Sequence, residues 1–358
     1  MISKAFYANI EEVALDNDLT REQVFYAFEQ GLIAACKKQL GVQTCRVDFR
    51  EEKNEILIYG QYYVLPEGEI SLDLDKKYTF ITLADAKEIN ARAKAGEVLE
   101  VKIEPSEFNH NASRDLKNRY NEVLNSIKKE TQYQALKKLQ NEMVNARVLD
   151  VEQDFYRIEI AKDVVVMLPK KETLPQDNFH IGDRVKVLIT DVEMKTKGPK
   201  IYVSRTNTAL VTRLLEDLVP EIKDGTIEVV GIARDAGDRS KVGLRSNNPN
   251  VDVIGATVGE GGLRIKEISK FLGGEKIDLF RWSDNEKDLI ANSLQPAPVV
   301  AVTKINPKEK TALAIVPDAQ LSLAIGKLGQ NVKLAVQASG WSIDIKSETV
   351  AHQEGIIY

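Results

Sequence analysis

The sequence predicts a multidomain α+β chain. It has an N-terminal α/β head with a long connecting helix, then a small closed β-barrel, then a three-helix, three-stranded unit that occurs twice. Three observations carry this reading. Apolar residues recur at helical spacing up to Gly41 and again from Ser113 to about Met143. From Asn145 to Arg205 the pattern becomes five short strand-like runs. Beyond them, one order of helices, strands and glycine turn returns after 67 residues.

The head reads in order. Ile2, Phe6, Ile10 and Val13 form a first helical stripe. Thr20 with Gln23 is a capping box, and Val24, Phe28, Leu32, Cys36 and Leu40 continue one apolar face to a glycine stop at Gly41. Strand-like runs follow at Arg46 to Phe49, Glu55 to Tyr59, Ile70 to Leu74, Thr79 to Leu83 and Val98 to Ile103, with a helix from Ala84 to Ala93. Leu116, Tyr120, Leu124, Ile127, Leu136, Leu139 and Met143 then mark the connecting helix.

Charge is divided unevenly. The chain carries 49 Lys and Arg against 54 Asp and Glu, a net −5. Up to Ala135 there are 18 basic and 23 acidic residues, so the whole excess lies in the head, and the remainder balances at 31 of each. An acidic head suits a protein partner with a basic surface, and a nucleic-acid grip is expected later in the chain. A sequence pI near 5.6 argues against coating nucleic acid by bulk charge. No run of about 18 apolar residues is present, the N-terminus lacks the apolar core of a signal peptide, and two cysteines, Cys36 and Cys45, are too few for a disulfide framework. A cytoplasmic protein without membrane contact is expected.

The barrel strands are Ala146 to Val151, Phe155 to Ile160, Val164 to Leu168, Arg184 to Val192 and Lys200 to Ser204. Five short strands in about 60 residues fit an OB-type barrel. Such barrels stack bases on aromatic side chains and track the backbone with cations. Phe155, Tyr156, Phe179, His180 and Arg205 are the candidates.

The duplicated unit holds the strongest signal. Gly259-Glu260-Gly261-Gly262 precedes the helical run Leu263 to Leu272 and the strand Lys276 to Phe280. Gly326-Lys327-Leu328-Gly329 precedes the run Gln330 to Ser339 and the strand Ser342 to Ile345. Each loop follows a short helical segment, two strands and a helix, giving α-β-β-α-α-β twice. A G-x-x-G turn between helices lets another backbone approach closely, and the next helix presents its free N–H groups there. A sugar-phosphate backbone fits, and K homology (KH) modules of type II order clamp about four nucleotides in this way. The candidate RNA contacts are Gly259, Gly261, Gly262, Arg264 and Lys266 at the first loop, and Gly326, Lys327, Leu328, Gly329, Gln330, Asn331 and Lys333 at the second. Phe179, His180 and Arg205 join them from the barrel region. Glu260 stands where a cation would help, so the first loop is expected to grip more weakly.

Local strings then point to a family. They include Gly182-Asp183-Arg184-Val185, Val219-Pro220-Glu221-Ile222, Asp252-Val253-Ile254-Gly255-Ala256 and Leu272-Gly273-Gly274-Glu275-Lys276-Ile277-Asp278. Ala233-Arg234-Asp235 with Gly237 and Arg239, and the run Ala324 to Val332, complete the set. The sequence resembles the NusA family of bacterial transcription elongation and termination factors, densely from Phe179 to Ile345 and architecturally over the first 140 residues. The resemblance implies an S1-type OB barrel and two tandem type II KH domains, with domains at 1–136, 137–205, 206–283 and 284–358. It also implies a monomer whose head binds RNA polymerase. Its later domains would bind the nascent single-stranded transcript and modulate pausing, intrinsic termination and antitermination alongside other transcription factors. Three strings depart from the usual pattern: Phe108-Asn109-His110-Asn111, the glycine-free Asn145-Ala146-Arg147-Val148, and the Glu260-Gly261 pair. The sequence ends at Tyr358, so the acidic C-terminal repeats of some members, and their autoinhibition, are not expected.

Enzyme chemistry finds no frame. His110, His180 and His352 lie in separate segments, and no H-E-x-x-H, Cys-x-x-Cys, EF-hand or phosphate-loop string occurs. No cofactor or metal is expected. The alternative is a stand-alone RNA chaperone or RNA-decay adaptor, which would not need the acidic head.

Overall fold

A computed structural model describes residues 5–66, 78–104, 108, 110–162 and 164–358. Ile2, Asn109 and the strand expected from Ile70 to Leu74 lie outside the described residues. The chain forms two compact units. One runs up to Ala135 and takes in Met194–Pro199, and the other comprises Leu136–Glu193 and Lys200–Tyr358.

The head opens with α1 (Ala5–Asp16) and α2 (Arg21–Leu40). The capping box forms: the Gln23 N–H donates to the Thr20 hydroxyl, and the Thr20 N–H donates to the Gln23 amide oxygen. A sheet follows from β1 (Cys45–Arg50), β2 (Glu55–Val64), β3 (Thr79–Ile81) and, after α3 (Leu83–Ile89), β4 (Val98–Ile103). The long strand β2 pairs with all three others. Leu32, Cys36, Cys45, Ile58 and Ile103 form the core between helix and sheet, and both cysteines are free thiols. The connecting helix is α4 (His110–Lys137), whose Leu116, Tyr120 and Leu124 pack into the head. It stops short of Met143 because Asn141 turns left-handed (φ 65°) and Met143 begins the next strand.

The barrel strands are β5 (Met143–Val151), β6 (Phe155–Ala161), β7 (Val164–Pro169), β8 (Arg184–Lys195) and β9 (Gly198–Ser204). They run β7-β6-β5-β8-β9, an S1-like order in a nearly closed sheet. The segments just beyond the two outer strands meet, where the Arg205 N–H donates to the Glu172 carbonyl at 2.8 Å. Val148, Ile158, Leu168 and Val187 fill the interior.

Two modules of one design follow. The first has α5 (Ala209–Leu218), α6 (Pro220–Lys223), β10 (Ile227–Asp235), β11 (Arg239–Ser246), α7 (Val253–Val258), α8 (Leu263–Phe271) and β12 (Lys276–Arg281). The second has α9 (Glu286–Ser293), β13 (Ala301–Asn306), β14 (Thr311–Val316), α10 (Leu321–Ile325), α11 (Gln330–Ser339), β15 (Ser342–Ser347) and α12 (Glu348–Gln353). In both, the first two strands pair antiparallel and the last two parallel. The short helices α6 and α12 are additions to the expected pattern. Pro220 starts α6 at a first-turn position, where its missing N–H is harmless.

The first module's sheet is covered on both faces. Its own helices bury Leu214, Val242, Leu244 and Ile268 on one side. On the other, Ala233 and Phe280 share a single core with Leu289, Leu334, Ala338 and Trp341 of the second module. Gly231 allows this approach, because a Cβ there would lie 2.2 Å from the Ala338 carbonyl oxygen and 2.7 Å from the Trp282 ring. Lys241 is 1% exposed in the same interface, and its Nζ donates to the Gln295 carbonyl at 2.6 Å.

Arg205, expected to face RNA, instead joins the barrel to the first module. It is 3% exposed. Its guanidinium makes two hydrogen bonds to Asp177, at 2.6 and 3.0 Å, and donates to the carbonyls of Lys186 and Phe271. A buried guanidinium holds its place only with such partners.

Two measurements check these joints. Arg205→Met strands the Asp177 carboxylate in the interior, and urea denaturation is expected to show a loss of about 3–5 kcal/mol. Burial pushes Lys241 down to about 8, against the opposing pull of Asp278. Between about pH 8 and the ordinary lysine value near 10.5, the unfolded chain holds a proton that the folded chain has released, so rising pH favours folding there. Urea titrations across that range are expected to show wild type gaining up to about 3 kcal/mol relative to Lys241→Met, with the gain lost again as pH falls through 8.

Candidate nucleic-acid interface

The two G-x-x-G loops share one backbone. Gly259 (φ 75°, ψ 171°) matches Gly326 (77°, 169°), Gly261 (58°, 15°) matches Leu328 (53°, 27°), and Gly262 (76°, 18°) matches Gly329 (76°, 13°). Positive φ at three of the four positions favours glycine. Crowding adds a second reason at the leading glycine: a Cβ on Gly326 would meet the Asn331 nitrogen at 2.7 Å, and one on Gly259 would meet the Arg264 side chain at the same distance. Leu328 accepts the left-handed conformation and is 98% exposed, so its apolar side chain projects from the loop.

Each loop ends at the start of a full helix. Gly262 caps α8 and Gly329 caps α11, and neither glycine has a side chain to occupy the first-turn N–H groups. Two helix N-termini are therefore open to an incoming acceptor, with the positive end of the helix dipole behind them.

The side chains around the loops differ. Lys327 and Lys333 are exposed and have no acidic partner among the described residues. At the first loop Glu260 is exposed, and the two cations expected to offset it have tasks within the protein. Arg264 pairs with Glu221 at 3.0 Å and donates to the Ala256 carbonyl. Lys266 reaches back to the Gly261 carbonyl at 3.0 Å. The second loop thus presents positive charge with no acidic partner among the described residues, whereas at the first Arg264 is paired with Glu221 and the exposed Lys266 stands beside the exposed Glu260.

Other expected contacts sit elsewhere. Asn331 is 6% exposed, and its amide donates to the carbonyls of Leu294 and Ala324. It fixes the end of α10 against α11 and does not face solvent. Gln330 lies at the module interface, with its amide donating to Asp235 at 2.8 Å and Asp238 at 2.7 Å. Phe179 is half-buried, with Tyr156 at its edge and the Arg205 guanidinium 5.3 Å from its ring centroid. Tyr156 is 4% exposed and belongs to the barrel core. His180 is exposed beside Asp183.

One feature escaped the sequence reading. A groove of about 670 Å³ runs between the barrel and α8, and Phe179, Arg184, Lys186, Lys266, Lys270 and Phe271 are among its walls. Arg184 and Lys186 alternate along a strand, and Lys266 and Lys270 are one helical turn apart. Those two spacings were the available signal.

Comparison with known proteins follows the same divisions. Residues 5–130 match the NusA N-terminal domain, residues 205–282 the NusA-like first KH domain, and residues 286–353 the NusA-like second KH domain. The chain is 38% identical to the transcription termination/antitermination protein NusA of Halalkalibacterium halodurans, over 96% of this chain and 88% of that protein. Identity is 37% to the protein of that name from Bacillus subtilis, covering 95% and 90%, and 31% to that from Thermus thermophilus, covering 98% and 92%. Likeness of this extent, running through head and both glycine-loop modules alike, means that the chain belongs to the NusA family.

Proposed function

We propose that this protein is a transcription elongation factor that binds RNA polymerase and the nascent single-stranded transcript. Its action modulates pausing, intrinsic termination and antitermination in the cytoplasm. The assigned domains are a polymerase-binding head with its connecting helix (1–136), an S1-type barrel (137–205) and two KH domains (206–283 and 284–358). The observation that carries the reading is the pair of G-x-x-G loops with matched dihedral angles in one compact unit. Backbone phosphates dock at the N-termini of α8 and α11, and Lys327 and Lys333 add charge at the second loop. The protein does no covalent chemistry: it holds a strand and a polymerase together. The acidic head supports the polymerase half of the reading, because a stand-alone RNA chaperone has no need of it.

Charge exchange tests the grip while sparing the glycines that the loop backbone requires. Lys327→Glu is expected to weaken binding of single-stranded RNA by on the order of tenfold, and Glu260→Lys to strengthen it, both read by fluorescence titration. Unchanged affinity in both variants would remove the loops from the interface.

The polymerase contact is tested with the full chain immobilised and purified bacterial RNA polymerase applied. Retention is expected to survive ribonuclease treatment. Retention that disappears with the RNA would favour the chaperone reading.

A further inference from the structure

The repeat supplies its own frame of reference. In the first module the β10–β11 turn reaches the second module, where Asp235 and Asp238 accept the amide of Gln330, the residue directly after the second G-x-x-G loop. The tip of one module's hairpin therefore lies beside the gripping loop of the module that follows it.

The same place exists on the second module. The Asp238 carbonyl accepts the N–H of Lys276, the first residue of β12, and the Lys310 carbonyl accepts the N–H of Ser342, the first residue of β15. Lys310 thus occupies the position of Asp238, and the charge is reversed. Lys304 and Lys308 belong to the same hairpin. All three lysines are exposed and have no acidic partner among the described residues. Lys304 and Lys310 both hold φ near 50°, an uncommon conformation for a residue with a side chain and one that tends to mark functional sites.

We propose that the β13–β14 hairpin is a third RNA-contact point, where Lys304, Lys308 and Lys310 bind phosphates of the strand as it leaves the second loop. This rests on the reading that the two loops hold RNA. The step from first module to second carries a hairpin tip to the neighbourhood of the next gripping position. One step further, a strand following the same course meets Lys310 and its neighbours. Where the first module's tip is acidic and meets a protein amide, the second module's tip is basic and meets phosphate. An acidic protein segment is the competing occupant. RNA is favoured because the equivalent tip lies next to a loop of RNA-gripping form.

The test uses the full chain with oligouridylate of about 8 nucleotides, enough for two loops at about four each, and of about 20 nucleotides. The variant combines Lys304→Asn, Lys308→Ala and Lys310→Asn, since asparagine tolerates the left-handed backbone. The expected result is unchanged affinity for the short RNA and roughly tenfold weaker binding of the long one. The salt slope for the long RNA should also fall by about 2, or about 0.7 for each of three phosphate contacts. Equal affinity of variant and wild type for the long RNA would overturn the proposal, as would an equal loss for both lengths, which marks a general field effect. Binding of polyglutamate by wild type but not by the variant, with RNA unaffected, would also overturn it and assign the hairpin to an acidic protein. Failure of wild type to bind either RNA would overturn the reading beneath it as well.

Discussion

The close approach of Gly231 to the Ala338 carbonyl sets the form of the second unit. A side chain at that point would hold the second module away from the sheet of the first. Without one, the outer face of β10 and β11 becomes the floor on which α11 packs, and both modules share a core containing Phe280, Leu334 and Trp341. A sheet buried on both faces cannot shift register without exposing one of them, so the loop positions are fixed with respect to each other. On the proposed reading, a strand held at one loop meets the other at high effective concentration, with no linker entropy to overcome.

Shape and charge are separated in the two loops. Their backbones agree to within about a dozen degrees at each glycine-like position, yet one carries Glu260 and the other Lys327. Matching geometry preserves access to the backbone N–H groups, and the variable residues set how strongly an anion is drawn in. In the first module the nearby cations are engaged within the protein, with Arg264 bracing α6 and the exposed Lys266 closing the loop. The groove beside it, with Arg184 and Lys270, carries the positive charge that its loop lacks.

Much of this was legible in the sequence. The capping box, β4 at Val98–Ile103 and the repeated order of elements depend on local spacing and were found where expected. Arg205 was misread because its partners are remote: Asp177 lies 28 residues away and Phe271 66. Nothing adjacent to Arg205 announces a buried ion pair. Asn331 is a different case. It shares the inward phase of Leu334, Ala335 and Ala338, so helical spacing already placed it inside, but its polarity suggested the surface. Lys333 lies off that phase and is exposed. The Gln330 contact was hidden for a third reason, since it depends on how one module is set upon the next.

The shared core also has a mechanical meaning. A strand pulled while seated on both loops transmits its load into one packed body and not into a tether that stretches. The joint between the modules is loaded across a broad interface, where many small contacts give way together or not at all. Under tension the weak points are then the loops themselves. On the proposed reading, release would proceed strand from loop, starting at the loop with Glu260, while the body beneath keeps its shape.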